Sequence, residues 1–159
     1  MMTNLDTLRD DILKLIAPGV ALANAQPEHW ICGTNEAESY CPPCARKKLR
    51  ELKRNASRRQ RAELMIDGGW GVEGDGPAFC ATCGCLLDNN YTDYGCHEEL
   101  DYFETEGFNL DDPSHCYSLE RIMAATCWED SKQFPDNPEA KDFRERLHRL
   151  CEKIVPSRN

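Results

Sequence analysis

Hydrophobic and polar residues follow a helical period in five parts of the chain. Apolar side chains recur there every three or four residues, which is typical of amphipathic helices that bury one face. The helices predicted in this way cover residues 3–17, 43–63, 96–106, 113–129 and 138–154. Pro113 and Pro138 occupy the first positions of the last two helices, directly after the N-capping residues Asp112 and Asn137. These two helices therefore carry their own start signals.

The segments on either side of the predicted helix 43–63 lack this period. Residues 25–44 are interpreted as a loop region, and the glycine-rich residues 66–78 as a flexible connection. The segment from Cys80 to Tyr94 predicts a metal-binding knuckle followed by a short hairpin.

Together these elements predict an α+β fold, in which four to five helices surround a small knuckle and hairpin. Three segments are expected along the chain. They are an N-terminal helix in residues 1–24, a cysteine-containing module in residues 25–95 that includes the basic helix 43–63, and an acidic helical region in residues 96–159.

Ten of the 159 residues are cysteines. Disulfide-rich proteins are exported, but Asp6, Asp10 and Asp11 interrupt the apolar residues near the N-terminus, which is not typical of a signal peptide. No stretch approaches the roughly 20 apolar residues of a membrane span. The expectation is a cytoplasmic protein without membrane contact, in which paired cysteines bind metal.

Two Cys-x-x-Cys pairs, Cys41/Cys44 and Cys80/Cys83, carry the strongest chemical signal. Each pair can present two sulfurs from one tight turn, and Zn²⁺ takes four such ligands in a tetrahedron. Gly84 suits a turn with positive φ, while the first pair begins a helix, where free N–H groups stabilise thiolates. With these motifs, residues 29–96 resemble zinc-ribbon and treble-clef modules. The resemblance implies that residues 25–95 form a zinc-binding module, in which bound Zn²⁺ stabilises the knuckle and hairpin.

Two ligand sets are compatible with this resemblance. In the first, one ion is shared by Cys41, Cys44, Cys80 and Cys83. In the second, one site is formed by His29, Cys32, Cys41 and Cys44. The second pair then needs partners from further along the chain, namely Cys85, Cys96, His97, His115 or Cys116.

Charge is distributed unevenly along the sequence. Residues 46–61 carry nine Lys/Arg and one Glu, whereas residues 62–140 carry 18 Asp/Glu and two Lys/Arg. At 100° per residue most of the cations share one helix face, which can bind a nucleic-acid backbone through counterion release. The predicted contact residues are Lys47, Arg50, Lys53, Arg54, Arg58 and Arg61. The alternatives are a solvated face and a face docked on the acidic half.

The acidic half also has two interpretations. It can keep a small domain soluble, or it can bind a basic surface as a nucleic-acid mimic would. Small, acidic, cysteine-rich chains resemble accessory proteins of phages and other mobile elements, some of which inhibit host nucleic-acid-processing or defence complexes. That resemblance implies, as the alternative function, a protein-binding inhibitor or accessory factor.

The sequence contains no catalytic signature. Zinc deaminases place His-x-Glu before Pro-Cys-x-x-Cys, whereas His97-Glu98 follows both cysteine pairs and no proline directly precedes either pair. His-Glu-x-x-His, a phosphate-binding loop and Gly-x-Ser-x-Gly are all absent. The expected function is therefore non-enzymatic binding, with nucleic acid or a nucleic-acid-associated protein as partner and without a small-molecule substrate.

Overall fold

A computed structural model describes residues 5–16, 25–125, 133–134 and 136–155 of the chain. The helices are α1 (Leu5–Ile16), α2 (Pro42–Asn55), α3 (Arg58–Glu63), α4 (Asp93–Glu106), α5 (Pro113–Ala124) and α6 (Pro138–Ile154). The strands are β1 (Gln26–Cys32), β2 (Met65–Gly69), β3 (Val72–Gly74), β4 (Ala78–Phe79) and β5 (Leu86–Tyr91). The prediction of a chain with both helices and a small sheet is confirmed, and the described residues form six helices where four to five were predicted.

The chain divides into two compact units. One comprises residues 24–90 and holds α2, α3 and the sheet, while the other comprises residues 1–23 with 91–159 and holds the remaining helices. Helix α1, which the sequence suggested as a segment of its own, packs against α5 and α6.

The sheet of the first unit has the strand order β2-β1-β5-β3, and β4 also pairs with β5. Strands β1 and β2 are antiparallel, with Cys32 opposite Met65, whereas β1 and β5 are parallel. Helix α2 packs on β1 and β2. The core between them is small, and its buried residues are Ile31, Tyr40, Cys41, Ala45, Leu64, Cys80 and Leu87.

Strands β1 and β2 correct two predictions. Residues 26–32 were expected in a loop and residues 65–69 in or beside a flexible connection, yet they form the longest strand pair in the sheet. The glycines of β2 permit this pairing because Gly68 has a φ of +100° and its Cα lies against the backbone of Glu28. The glycines here allow two strand backbones to approach closely. The local sequence pattern does not distinguish this role from that of glycines in a flexible connection.

The single basic helix predicted over residues 43–63 is interrupted. Helix α2 ends at Asn55, Ala56 has an extended conformation, and Ser57 caps a new helix. The Ser57 hydroxyl accepts a hydrogen bond from the Gln60 backbone, and the Gln60 side chain accepts one from the Ser57 backbone. This capping box stabilises a fresh helix start and explains the break.

The helical unit follows the sequence more closely. The caps predicted at Asp112 and Asn137 are confirmed, since their carboxylate and amide oxygens accept backbone N–H groups of α5 and α6. The inward positions predicted for α4, α5 and α6 are buried except for Ile154, which is half-buried. The buried ones are Leu100, Phe103, Leu119, Ile122, Met123, Phe143, Leu147 and Leu150. Helix α5 ends at Ala124, and residues 126–129 of its predicted range lie outside the described residues.

Candidate metal centre

The first Cys-x-x-Cys pair lies at the start of α2. Cys41 is the N-cap residue, Pro42 occupies the first helical position, and Cys44 follows within the first turn. Backbone hydrogen bonds in both directions join Tyr40 to His29 of β1, with N···O distances of 2.9 and 2.7 Å. The start of the helix is therefore held against the sheet, with the Cys41 side chain buried.

The second pair lies in the turn between β4 and β5. The Cys80 backbone N–H donates to the Cys85 carbonyl at 2.8 Å, and the Gly84 N–H donates to the Cys80 carbonyl at 2.8 Å. Gly84 has the positive φ, +73°, that the sequence suggested. The knuckle is thus itself the turn of the hairpin and does not precede it. Ala81 donates to the Ser39 carbonyl at 2.9 Å, which places the knuckle beside the segment that leads into α2.

Four thiols converge where these segments meet. The Sγ atoms of Cys41, Cys80, Cys83 and Cys85 all lie within 4.8 Å of one another, and Cys41 and Cys83 are 3.7 Å apart. Four sulfurs that surround a tetrahedral ion at about 2.3 Å are about 3.8 Å apart, whereas a disulfide requires about 2.0 Å. The spacing therefore fits a metal ion held by four thiolates.

A fifth thiol borders this group. Cys44 is half-buried, and its thiol interacts with those of Cys41, Cys80 and Cys83. The structure therefore brings together all four members of the predicted single-ion set and adds Cys85, which the sequence offered only as a partner in the two-site arrangement. The Cys83-Gly84-Cys85 sequence was the available signal, because the turn at Gly84 directs both thiols toward the same side.

The environment of the thiols differs from one cysteine to the next. Burial alone would raise the pKa of Cys80, but hydrogen bonds from the backbone of Cys41, Cys83 and Thr82 lower it to about 6. A hydrogen bond from the backbone of Cys85 lowers the pKa of Cys83. Backbone donors that stabilise thiolates in this way also support metal ligation, since the thiolate is the form that binds.

Two other thiols are held in the neutral form. Hydrogen bonding to the Cys41 thiol, followed by burial, raises the pKa of Cys44 to about 12. Burial raises the pKa of Cys85, and the Cys83 thiol adds to the effect. A metal cation at the centre of the cluster would reverse this preference, because it deprotonates the thiols that coordinate it.

His29 and Cys32 remain apart from this cluster. The His29 imidazole Nδ1 lies 3.2 Å from the carbonyl oxygen of Asp67, and Cys32 ends β1 opposite Met65. Over the described residues, no second group of three or more such ligands comes together. The two-site arrangement built on His29 and Cys32 is therefore absent from the part of the chain that the structure describes.

The predicted nucleic-acid contacts lie on the surface of the same unit. Lys53 is half-buried, and the other five are exposed, namely Lys47, Arg50, Arg54, Arg58 and Arg61. The salt bridges described on α2 and α3 involve neighbouring cations, with Lys48 joined to Glu36 and Arg59 to Glu63. The Arg61 guanidinium also donates to the Ala56 carbonyl at 3.0 Å, across the break between the two helices.

The fold and the cluster define a small protein of mixed α and β structure with a cysteine site positioned to bind a metal ion. No protein-family model matches this chain, and neither the curated proteins nor the solved structures that were searched contain a match. None of the described helices combines the length and the apolar content that crossing a lipid bilayer requires.

The five thiols make a prediction about the ligand set. Cys85→Ser should weaken Co²⁺ binding by about tenfold or more, and Cys44→Ser should weaken it less, because Cys85 and not Cys44 completes the closest group of four. Thiolate-to-Co²⁺ absorption reports both the affinity and the number of sulfur ligands. A larger loss in Cys44→Ser would reassign the fourth position to that residue.

Proposed function

We propose that this chain is a non-enzymatic zinc protein that contacts nucleic acid through the basic face of α2 and α3. Zinc is the usual ion of sites built from cysteines alone, and a site closed by four thiolates leaves no open position for a reactive water. The ion then has a structural role. The protein's own residues supply the binding chemistry.

One observation carries the proposal: exposed cations lie on a helix whose first turn belongs to the cysteine cluster. Cys41 and Cys44 anchor the start of α2, and its apolar residues Leu49 and Leu52 pack on the core of the unit. The opposite face, with Lys47, Arg50 and Arg54, is directed to solvent. Metal binding and core packing therefore hold the cationic face in one orientation, which favours contact with a phosphate backbone.

The composition of the unit supports the same proposal. Residues 24–90 carry nine Lys/Arg and nine Asp/Glu, and all nine cations fall within residues 46–61. The unit is neutral as a whole but strongly basic on one surface. A surface of this kind attracts a polyanion locally, and the attraction weakens steeply as salt screens it.

The test is a salt titration of the affinity of the full chain for labelled DNA and RNA. The variant Arg50→Ala/Lys53→Ala/Arg54→Ala should bind more weakly, and its slope of log affinity against log salt should fall by about two to three. This decrease is expected because each lost phosphate contact on duplex DNA removes about 0.9 from the slope.

The matched control removes three exposed cations from α6 of the helical unit, as Lys141→Ala/Arg149→Ala/Lys153→Ala. This variant changes the net charge by the same amount but leaves the basic face intact. Its slope of log affinity against log salt should therefore stay close to that of the parent chain. Equal losses in both variants would mean that net charge and not the basic face governs binding. Absence of binding to either polymer at low salt would refute the proposal.

A second candidate function is binding of a basic protein partner by the helical unit. Its residues 1–23 and 91–159 carry 19 Asp/Glu and ten Lys/Arg, so that the whole net charge of −9 belongs to this unit. This function predicts no affinity for nucleic acid in the same titration. It also predicts that the full chain is retained on an immobilised basic protein.

A further inference from the structure

A cavity in the helical unit belongs neither to the cysteine cluster nor to the basic face. It has a volume of about 350 Å³ and lies between the first turns of α4 and α6. Cavities that bind small ligands begin at about 300 Å³, so this one can hold a single large side chain. Its lining includes Asp93, Tyr94, His97, Phe134, Glu139 and Phe143.

Aromatic rings form much of the lining. Phe143 is buried, and the His97 ring packs against it edge-on, with the ring centroids 5.0 Å apart. Tyr94 and Phe134 are 64% and 59% exposed, which is a large exposed fraction for two aromatic residues that line one cavity. The cavity thus combines a packed aromatic surface with two rings that a ligand can cover.

The charged groups at the cavity are carboxylates. Asp93 is the first residue of α4 and Glu139 lies in the first turn of α6, and both are exposed. Lys and Arg are absent from the described residues that line the cavity. Carboxylates at helix N-termini are favoured in the ionised form by the helix dipole, so the cavity presents negative charge beside aromatic faces.

An anion is the ligand that helix N-termini usually attract, but here three of the donors are already used. The Thr92 hydroxyl accepts the Gly95 N–H at 3.0 Å, while the Asn137 side chain accepts the N–H groups of Glu139 at 2.9 Å and Ala140 at 3.2 Å. With three donors capped by side chains and two carboxylates in the lining, a cation is favoured over an anion.

We propose that this cavity binds the arginine side chain of a basic protein segment. A planar guanidinium can stack on the exposed rings and donate hydrogen bonds to the carboxylates at the same time, which an ammonium group does less well. The excess of acidic residues in this unit attracts such a segment from a distance. The inference rests on the second candidate function, binding of a basic partner by the helical unit, and names the cavity and the side chain through which that partner is recognised.

The test is an NMR titration of the full chain with the peptide acetyl-Gly-Arg-Gly-amide. The matched probe replaces arginine with citrulline, which has nearly the same shape and no charge. The arginine peptide should shift the amides of residues 93–97 and 139–143, and the citrulline peptide should leave them unchanged. Glu139→Gln and Phe134→Ala should each weaken binding by about tenfold.

Asp142→Asn is the control variant, because Asp142 is an exposed carboxylate on α6 that does not line the cavity. It should bind the arginine peptide as the parent chain does. Phe134 is largely exposed, so its substitution tests the cavity without removing a core side chain. The proposal would be overturned if both peptides shifted the amide signals equally, or if all three variants left the shifts caused by the arginine peptide unchanged. It would also be overturned if inorganic phosphate shifted the same amide signals.

Discussion

Cys80→Ser is expected to abolish metal binding and to unfold residues 24–90, while the helical unit keeps its structure. The Cys80 side chain is 3% exposed and is one of the four thiols that lie within 4.8 Å of each other. Two of the seven buried residues in the core of this unit, Cys41 and Cys80, also belong to the metal centre. The same atoms therefore supply both packing and metal ligation.

The free energy of folding that is lost with the metal ion exceeds what the remaining hydrophobic core can supply. A hydrophobic core of this size supplies at most about 3–5 kcal/mol, whereas structural zinc contributes about 10–16 kcal/mol in small zinc domains. Removal of the ion from the parent chain by a chelator should have the same effect, because the cluster connects segments some 40 residues apart in sequence.

Elemental analysis and amide NMR spectra of the full chain measure this prediction. Cys32→Ser is the control, since Cys32 is half-buried in the same unit and lies outside the group of close thiols. It should retain one ion per chain and the signals of residues 24–90. If the signals of this unit survive both in Cys80→Ser and in chelated parent protein, the metal does not hold the fold together.

Gly68→Ala is expected to destabilise the same unit by about 2 kcal/mol or more even when metal is bound. The φ of +100° is strained for any residue with a side chain. In addition, the new methyl group would overlap the carbonyl oxygen of Glu28 and approach the Trp30 ring to 2.9 Å. Because the obstacle is strand backbone, relief requires β1 and β2 to separate.

The neighbouring glycine provides the control. Gly69 also has a positive φ, +149°, but a methyl group there would meet nothing within 4 Å. Urea unfolding of Gly69→Ala therefore reports the conformational strain without the overlap. If the two variants lose the same free energy of unfolding, the close approach of β1 to β2 does not restrict the side chain at Gly68.

Local pattern was sufficient for the helical unit. The predicted helices 96–106, 113–129 and 138–154 correspond to α4, α5 and α6, because periodic apolar residues and N-caps act within one or two turns. The break between α2 and α3 could also have been predicted, since Ser57 and Gln60 have the spacing of a capping box. The strong amphipathic pattern on both sides concealed it.

The sheet was missed because its evidence is not local. Strand β1 pairs with β2, about 35 residues further along the chain, and with β5, about 60 residues further along. Neither Gln26–Cys32 nor Met65–Gly69 alternates clearly between apolar and polar residues. Their pairing depends on the absence of a side chain at Gly68, which matters only when β1 brings the Glu28 carbonyl oxygen against it.

The metal centre shows the same division between local and distant information. Spacing alone showed that each Cys-x-x-Cys pair could present two sulfurs, because two intervening residues close one turn. Which thiols meet was decided by the hydrogen bond from Ala81 to Ser39 and by the turn at Gly84, which add Cys85 to the group and leave His29 on the sheet. Residue types and short spacings thus determined that the site can bind metal through thiols. Contacts between distant segments decided which cysteines lie together, because the geometry of the site depends on the relative positions of several segments.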